Sequence, residues 1–209
     1  MIRIYGGWPS RSLRAQWLLE ELGVPYELHL VDLRRRQEDA EFMAVNPAGF
    51  LPALVDGEVE MVESIAILEY LLGEYGQGGL APAPGAPEHP AYLQFLHLGE
   101  AGMAAFMNIV VASRFAAPEA ERDNWGARMA GQMFLGRLRL VEQRLETSPY
   151  LAGAHFTAAD ISVHYALGFG ARLGLADRYP AVVTDYMRRL EERGGYRKAL
   201  ESWRPPAQA

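Results

Sequence analysis

The chain has 209 residues, half of them hydrophobic and 22% charged, which suits a folded protein with ample core material and excludes a disordered chain. A formal net charge of -6 argues against nucleic acid or an anionic membrane as the main partner, because both need clustered Lys and Arg. The absence of cysteine excludes disulfides, thiolate metal sites, a Cys nucleophile and a redox Cys-x-x-Cys pair.

Met1 leads straight into Ile2-Arg3-Ile4-Tyr5, an alternation that predicts a strand and lacks the basic segment and apolar run of a secretory signal. A cytoplasmic location is expected. No run approaches the ~20 apolar residues of a membrane span, the richest being Ile109-Val110-Val111-Ala112, so no membrane role is expected. Leu13 with Trp17 and Leu18 with Leu22 place apolar pairs four apart on a helix that Gly23 and Pro25 end. Tyr26 to Val31 is the next strand, so the first three elements make a parallel crossover. A short helix over Glu38 to Ala44 ends at Asn46-Pro47.

Asp56-Gly57 sits between Ala53-Leu54-Val55 and Val59-Glu60-Met61, a hairpin signal because both turn residues tolerate positive φ. Ile65, Leu68, Leu71 and Leu72 then recur at helical spacing from about Ser64. The order is βαβ followed by ββα. Residues 76–90 contain Pro82, Pro84, Pro87 and Pro90 with four glycines and read as an irregular connector. The domains are therefore placed at 1–77 and 91–209, with 78–90 as linker. Beyond the linker no strand pattern stands out, and helices are predicted near 91–116, 119–147, 158–173, 178–193 and 195–201. Thr157 and Asp160 are spaced as a capping box, with Phe156 and Ile161 as its hydrophobic staple, worth about 1 kcal/mol and structural in purpose.

Two segments carry more than fold information. Asn46-Pro47-Ala48-Gly49-Phe50-Leu51-Pro52-Ala53-Leu54, then Glu63-Ser64-Ile65-Ala66-Ile67-Leu68-Glu69-Tyr70-Leu71, flank the Asp-Gly hairpin. Together they resemble the glutathione-site signature of the cytosolic glutathione S-transferases, and of bacterial-type, serine-type members in particular. Ile4-Tyr5-Gly6, the stretch at 19–27 and the cap at 156–160 extend the likeness over most of the chain. The resemblance implies an α/β thioredoxin-like N-terminal domain (βαβ-ββα) followed by an all-α helical C-terminal domain. It also implies a homodimer.

It further implies a cis Leu51-Pro52 peptide, a state open at modest cost only to X-Pro bonds, which turns the Leu51 backbone toward the cysteinyl unit of glutathione. Ser64, at a helix N-terminus, would hold the γ-glutamyl carboxylate and Glu63 the ammonium. Outside this signature the pair would be only an N-cap and a solvated acid. Arg36 is a candidate for the glycyl carboxylate, although Arg34 and Arg35 beside it make a solvated basic face an equal reading.

Serine-type relatives hold the thiol with a hydroxyl after the first strand. In Gly6-Gly7-Trp8-Pro9-Ser10-Arg11-Ser12-Leu13 the matching position is Ser10, whose O–H and helix end would favour thiolate over thiol. Ser12 is the alternative donor, or merely caps the helix. Tyr5 is the third candidate, its simpler role being to pack. The five histidines, among them His97 and His164 in apolar company, show no metal-ligand spacing, so no metal is expected; the resemblance implies glutathione as the co-substrate.

The second substrate is expected to be a small hydrophobic electrophile between the domains, against the helix near 91–116, with Met103, Phe106, Met107, Val110 and Phe115 as candidate lining. Conjugation, peroxide reduction and dehalogenation are all compatible with the resemblance. The rival expectation is a non-catalytic glutathione-transferase-like module that keeps the fold for binding or regulation.

Overall fold

β1 (Ile2–Gly6) and β2 (Tyr26–Leu30) pair in parallel, Ile2 opposite Tyr26 and Gly6 opposite Leu30, in the computed structural model, which describes residues 1–7 and 9–203. α1 (Ser12–Leu22) supplies the crossover between them, and Gly23 ends it with φ 66, where its N–H caps the Glu20 and Leu19 carbonyls. β3 (Ala53–Asp56) runs antiparallel to β1, and β4 (Val59–Val62) returns beside β3 through a turn at Gly57, φ 60. The sheet order is β2-β1-β3-β4.

Two layers cover this sheet, because alternate strand residues point to opposite faces. Tyr5, Val31, Leu51 and Ala53 cluster with Phe42 of α2 (Ala40–Val45) on one face. On the other face α1 meets both β1 and α3 (Ser64–Tyr75). Asp39 starts α2 by accepting the Phe42 N–H at 3.0 Å.

Packing divides the chain into two units, Met1–Gly78 with the chain from Glu191 onward, and Gly79–Leu190. The last helix, α9 (Gly194–Glu201), thus groups with the first unit although local spacing placed it in the 91–209 region. Its contact is α1. Trp17 packs edge-on to Tyr196, and Glu21 takes the Trp17 indole N–H at 2.9 Å and an Arg193 fork at 2.8 and 2.7 Å.

The second unit is helical. α4 (His89–His97) runs through a π-helical stretch, Leu98–Ala104, into α5 (Ala105–Val111). α6 (Trp125–Leu145), α7 (Ala158–Gly170) and α8 (Ala181–Glu191) follow. α7 is buried around its whole circumference from Ala158 to Leu167 and forms the centre of the unit. Gly99 permits close approach to it: a Cβ there would collide with Ser162, whose hydroxyl bonds the Leu96 carbonyl at 2.7 Å.

One sequence expectation is corrected in this unit. The helix predicted from 119 begins at Trp125, because Asp123 takes φ 47 and the Asn124 side chain caps Ala127 at 3.0 Å. The continuous helix His89–Ala116 is, by length and composition alone, long and apolar enough to cross a membrane, which counting consecutive apolar residues had not revealed. Its Met103, Ala104 and Met107 are buried in the unit's own core. The cap at the start of α7 has the expected capping box, and Asp160 does more than close it. Wholly buried, it also accepts Leu151 N–H at 3.0 Å and Tyr186 O–H at 2.8 Å.

Candidate functional site

The start of α1 carries the first chemical feature. Its N-cap position is Arg11, which makes no side-chain cap, and the first turn holds no acid, so the positive end of the helix is left uncompensated by its own side chains. Ser10 and Ser12 instead face each other, Oγ to Oγ at 2.7 Å, and the Ser10 Oγ also accepts the Ser12 N–H at 3.3 Å. Ser12 is fully buried beneath Gly6, whereas Ser10 retains 8% exposure. Of the two residues only Ser10 keeps any exposure. When Ser12 donates, Ser10 accepts twice and keeps its own proton for an outside acceptor.

Tyr5 does not join this pair. The Cβ direction of Gly6 points to Ser12, so the preceding side chain points to the opposite face. There the Tyr5 hydroxyl donates to Glu41 at 2.8 Å and its ring lies 4.9 Å from that of His29. Burial first and Glu41 second hold the phenol above its ordinary pKa, the reverse of an activated tyrosine.

The start of α3 is the second feature. Ser64 is 2% exposed and its Oγ accepts from Nη1 of Arg14 at 3.0 Å, placing a fully buried guanidinium beneath a helix N-terminus. Glu63, just outside the helix, is exposed and holds φ 73, ψ 105, a conformation costly for any residue with a Cβ. A cation, a hydroxyl and helix N–H groups beside a carboxylate form a set that suits an amino-acid end, with opposite charges side by side.

The Leu51-Pro52 peptide, immediately before β3, is cis. Asn46, 3% exposed, shapes the loop before it by donating to the Phe50 carbonyl at 2.6 Å and accepting the Ala48 N–H at 3.1 Å. Arg36 is set apart from its neighbours. Arg34 and Arg35 are exposed, Arg35 pairing with Glu38, but Arg36 is half-buried against Gly49 and donates Nη1 to the Leu33 carbonyl at 2.6 Å. Its Nε is buried with no hydrogen-bond partner among the described residues.

These positions bear on relatedness. The model of the glutathione S-transferase N-terminal domain matches residues 1–73. Glutathione S-transferase F10 of Arabidopsis thaliana is 30% identical over 169 residues, covering 78% of this chain and 77% of that protein. The chain belongs to the glutathione S-transferase family. Glutathione S-transferase 3 of Schizosaccharomyces pombe is 28% identical over 92% of this chain and 84% of its own length. The glutathione transferase URE2P6 of Phanerochaete chrysosporium, solved in complex with oxidized glutathione, has a TM-score of 0.81 at 25% identity, covering 97% of this chain and 96% of that one.

Within this family member, Arg14 is the residue that sequence reading overlooked. The signal was present, since Arg14 stands four before Leu18 and so places a charge in an apolar stripe, where an unpartnered cation would be costly. Of the five residues expected to line an electrophile site, Met107 and Val110 border one hollow of the second unit, while Met103 lies in its core. Phe106 is capped by Arg137 at 4.7 Å, and Phe115 is 68% exposed.

Proposed function

We propose that this protein binds glutathione through its first unit and stabilises the thiolate for attack on a small hydrophobic electrophile. The observation that carries the reading is the hydroxyl pair at the start of α1, in which Ser10 is the outer member and an acceptor for its neighbour. Ser10 then donates to the sulfur and Ser12 orients Ser10. A thiol near pKa ~8.5 needs about two units of depression to ionise at neutral pH, roughly 2.7 kcal/mol, within reach of one charge-assisted hydrogen bond and a helix end.

The rest of the tripeptide finds complementary groups. The γ-glutamyl carboxylate sits on Ser64 and the α3 N-terminus, with Arg14 behind it, and the ammonium faces Glu63. The backbone of Leu51, beside Pro52, pairs with the cysteinyl unit, and Arg36 takes the glycyl carboxylate with its buried Nε. Once bound, the thiol loses its proton to solvent and the thiolate forms a carbon–sulfur bond at an electrophilic centre, the displaced electron pair departing with the leaving group or, in an addition, passing to the opened π-bond, which takes a proton from solvent; the Ser10 proton is shared, never transferred. The working form is a homodimer.

An ultraviolet difference spectrum on adding glutathione tests the reading. The expected result is a thiolate band that Ser10→Ala removes, Ser12→Ala weakens and Tyr5→Phe leaves in place. Binding without a band identifies a non-catalytic glutathione-binding module, and absence of binding overturns both site and mechanism.

A further inference from the structure

Asn46 closes α2 and opens the segment that leads to Pro52. As the C-cap of α2 it donates its backbone N–H to the Phe42 carbonyl at 2.8 Å, and its own carbonyl takes the Gly49 N–H at 3.0 Å. Asn46-Pro47 at the first two positions of this turn and Gly49 at the fourth, with φ 69, are the residues that such a turn favours.

The side chain divides its work. Oδ1 accepts the Ala48 N–H at 3.1 Å, the local bond that suits asparagine and aspartate alike to the start of a turn. Nδ2 donates to the Phe50 carbonyl at 2.6 Å, a bond that an ionised aspartate cannot make. Both ends of the buried amide meet backbone groups of fixed character, so its orientation is settled by its partners. The turn itself asks only for the acceptor, and the donor serves Phe50.

That carbonyl shares a planar peptide with the Leu51 N–H. The Phe50-Leu51 bond is trans, so the two groups point in opposite directions. With Asn46 holding the carbonyl, the N–H is turned away from Asn46, and it makes no hydrogen bond with any described residue although Leu51 is buried. Buried backbone donors are rarely left without an acceptor, which marks this one as a place for a ligand oxygen.

We propose that Asn46 is the positioning residue that aims the Leu51 N–H at the cysteinyl carbonyl of glutathione. This role rests on the glutathione reading above, to which it adds the residue that sets the backbone contact. Without the Nδ2 donor the peptide plane loses its anchor, and the N–H its fixed direction.

Titration calorimetry on the full chain compares S-methylglutathione with its alkene isostere, in which a carbon–carbon double bond replaces the Cys–Gly amide and leaves no acceptor. Wild type is expected to bind the amide about ten-fold more tightly than the alkene, the worth of one hydrogen bond. Asn46→Ala should weaken the amide about ten-fold and leave the alkene nearly unchanged, so that the two ligands bind alike. Asn46→Asp keeps the bond to the Ala48 N–H but sets a carboxylate against the Phe50 carbonyl. It should show the same convergence, and it decides the matter where the Asn46→Ala chain fails to fold. Variants that weaken both ligands equally, or neither, would overturn the proposal and reduce Asn46 to a support of the turn. Wild type that binds the two ligands alike would overturn it at Leu51, whereas wild type that does not bind S-methylglutathione at all would refute the glutathione reading and this role with it.

Discussion

Nη1 of Arg14 and Oγ of Ser64 lie 3.0 Å apart across fifty positions of sequence, both residues buried. The contact fixes the Ser64 oxygen as an acceptor, so its own proton is free to point to a ligand. Ser64→Ala is expected to weaken glutathione about ten-fold, and Arg14→Gln by a similar factor. Because both act on one carboxylate, the double variant should lose less than the two losses combined, as titration calorimetry on the cycle will read. Full additivity would show that they serve separate ends.

Glu63 holds a left-handed backbone at φ 73, which glycine adopts freely and other residues at a cost of about 1–3 kcal/mol. Glu63→Gly should therefore raise thermal stability or leave it level while glutathione affinity falls. Glu63→Gln retains the backbone cost and is expected to lose affinity alone. A Glu63→Gly chain that melts earlier yet binds normally would refute both assignments.

Asp160 joins the start of α7 to the loop at Leu151 and to Tyr186 of α8. Burial raises its pKa against the pull of these donors, so its contribution is greatest at low pH and declines as pH rises through the folded value. Asp160→Ala leaves Leu151 N–H, Thr157 N–H and Tyr186 O–H without their acceptor, an expected loss of about 3 kcal/mol or more in urea unfolding. Tyr186→Phe removes one donor and should cost about 1 kcal/mol.

Asp39 works in the opposite sense. The Phe42 N–H, with His29 second, holds its carboxyl below the ordinary value of 3.8. The folded state therefore binds the proton more weakly, and the stabilisation is complete above 3.8 and lost as pH falls through the lowered value. Asp39→Ala is expected to cost about 1 kcal/mol at neutral pH, and the gap in melting temperature from wild type should close in acid. A gap that persists there would assign the loss to packing.

Elements built on neighbours in the chain were legible before any coordinates. The alternation at Ile2–Tyr5, the Asp56-Gly57 turn and the Thr157–Asp160 box each depend on residues within a few positions, and each stands where its pattern put it. Where a local competitor intervened the reading slipped: left-handed Asp123 and the Asn124 cap moved the start of α6 six residues on from 119.

Composition, periodicity and the two signature segments determined the kind of protein this is, its βαβ-ββα order, and Ser10, Ser12, Glu63 and Ser64 as residues to consider. Only the tertiary structure decided that Tyr5 turns to Glu41 while Ser12 lies under Gly6, that Arg14 stands behind Ser64, and that α9 returns to α1 through Glu21 and Arg193. The reason is physical. Backbone preferences and turn chemistry act over a few residues and are written locally, whereas a buried charge or hydroxyl takes its meaning from a partner that folding alone brings within 3 Å.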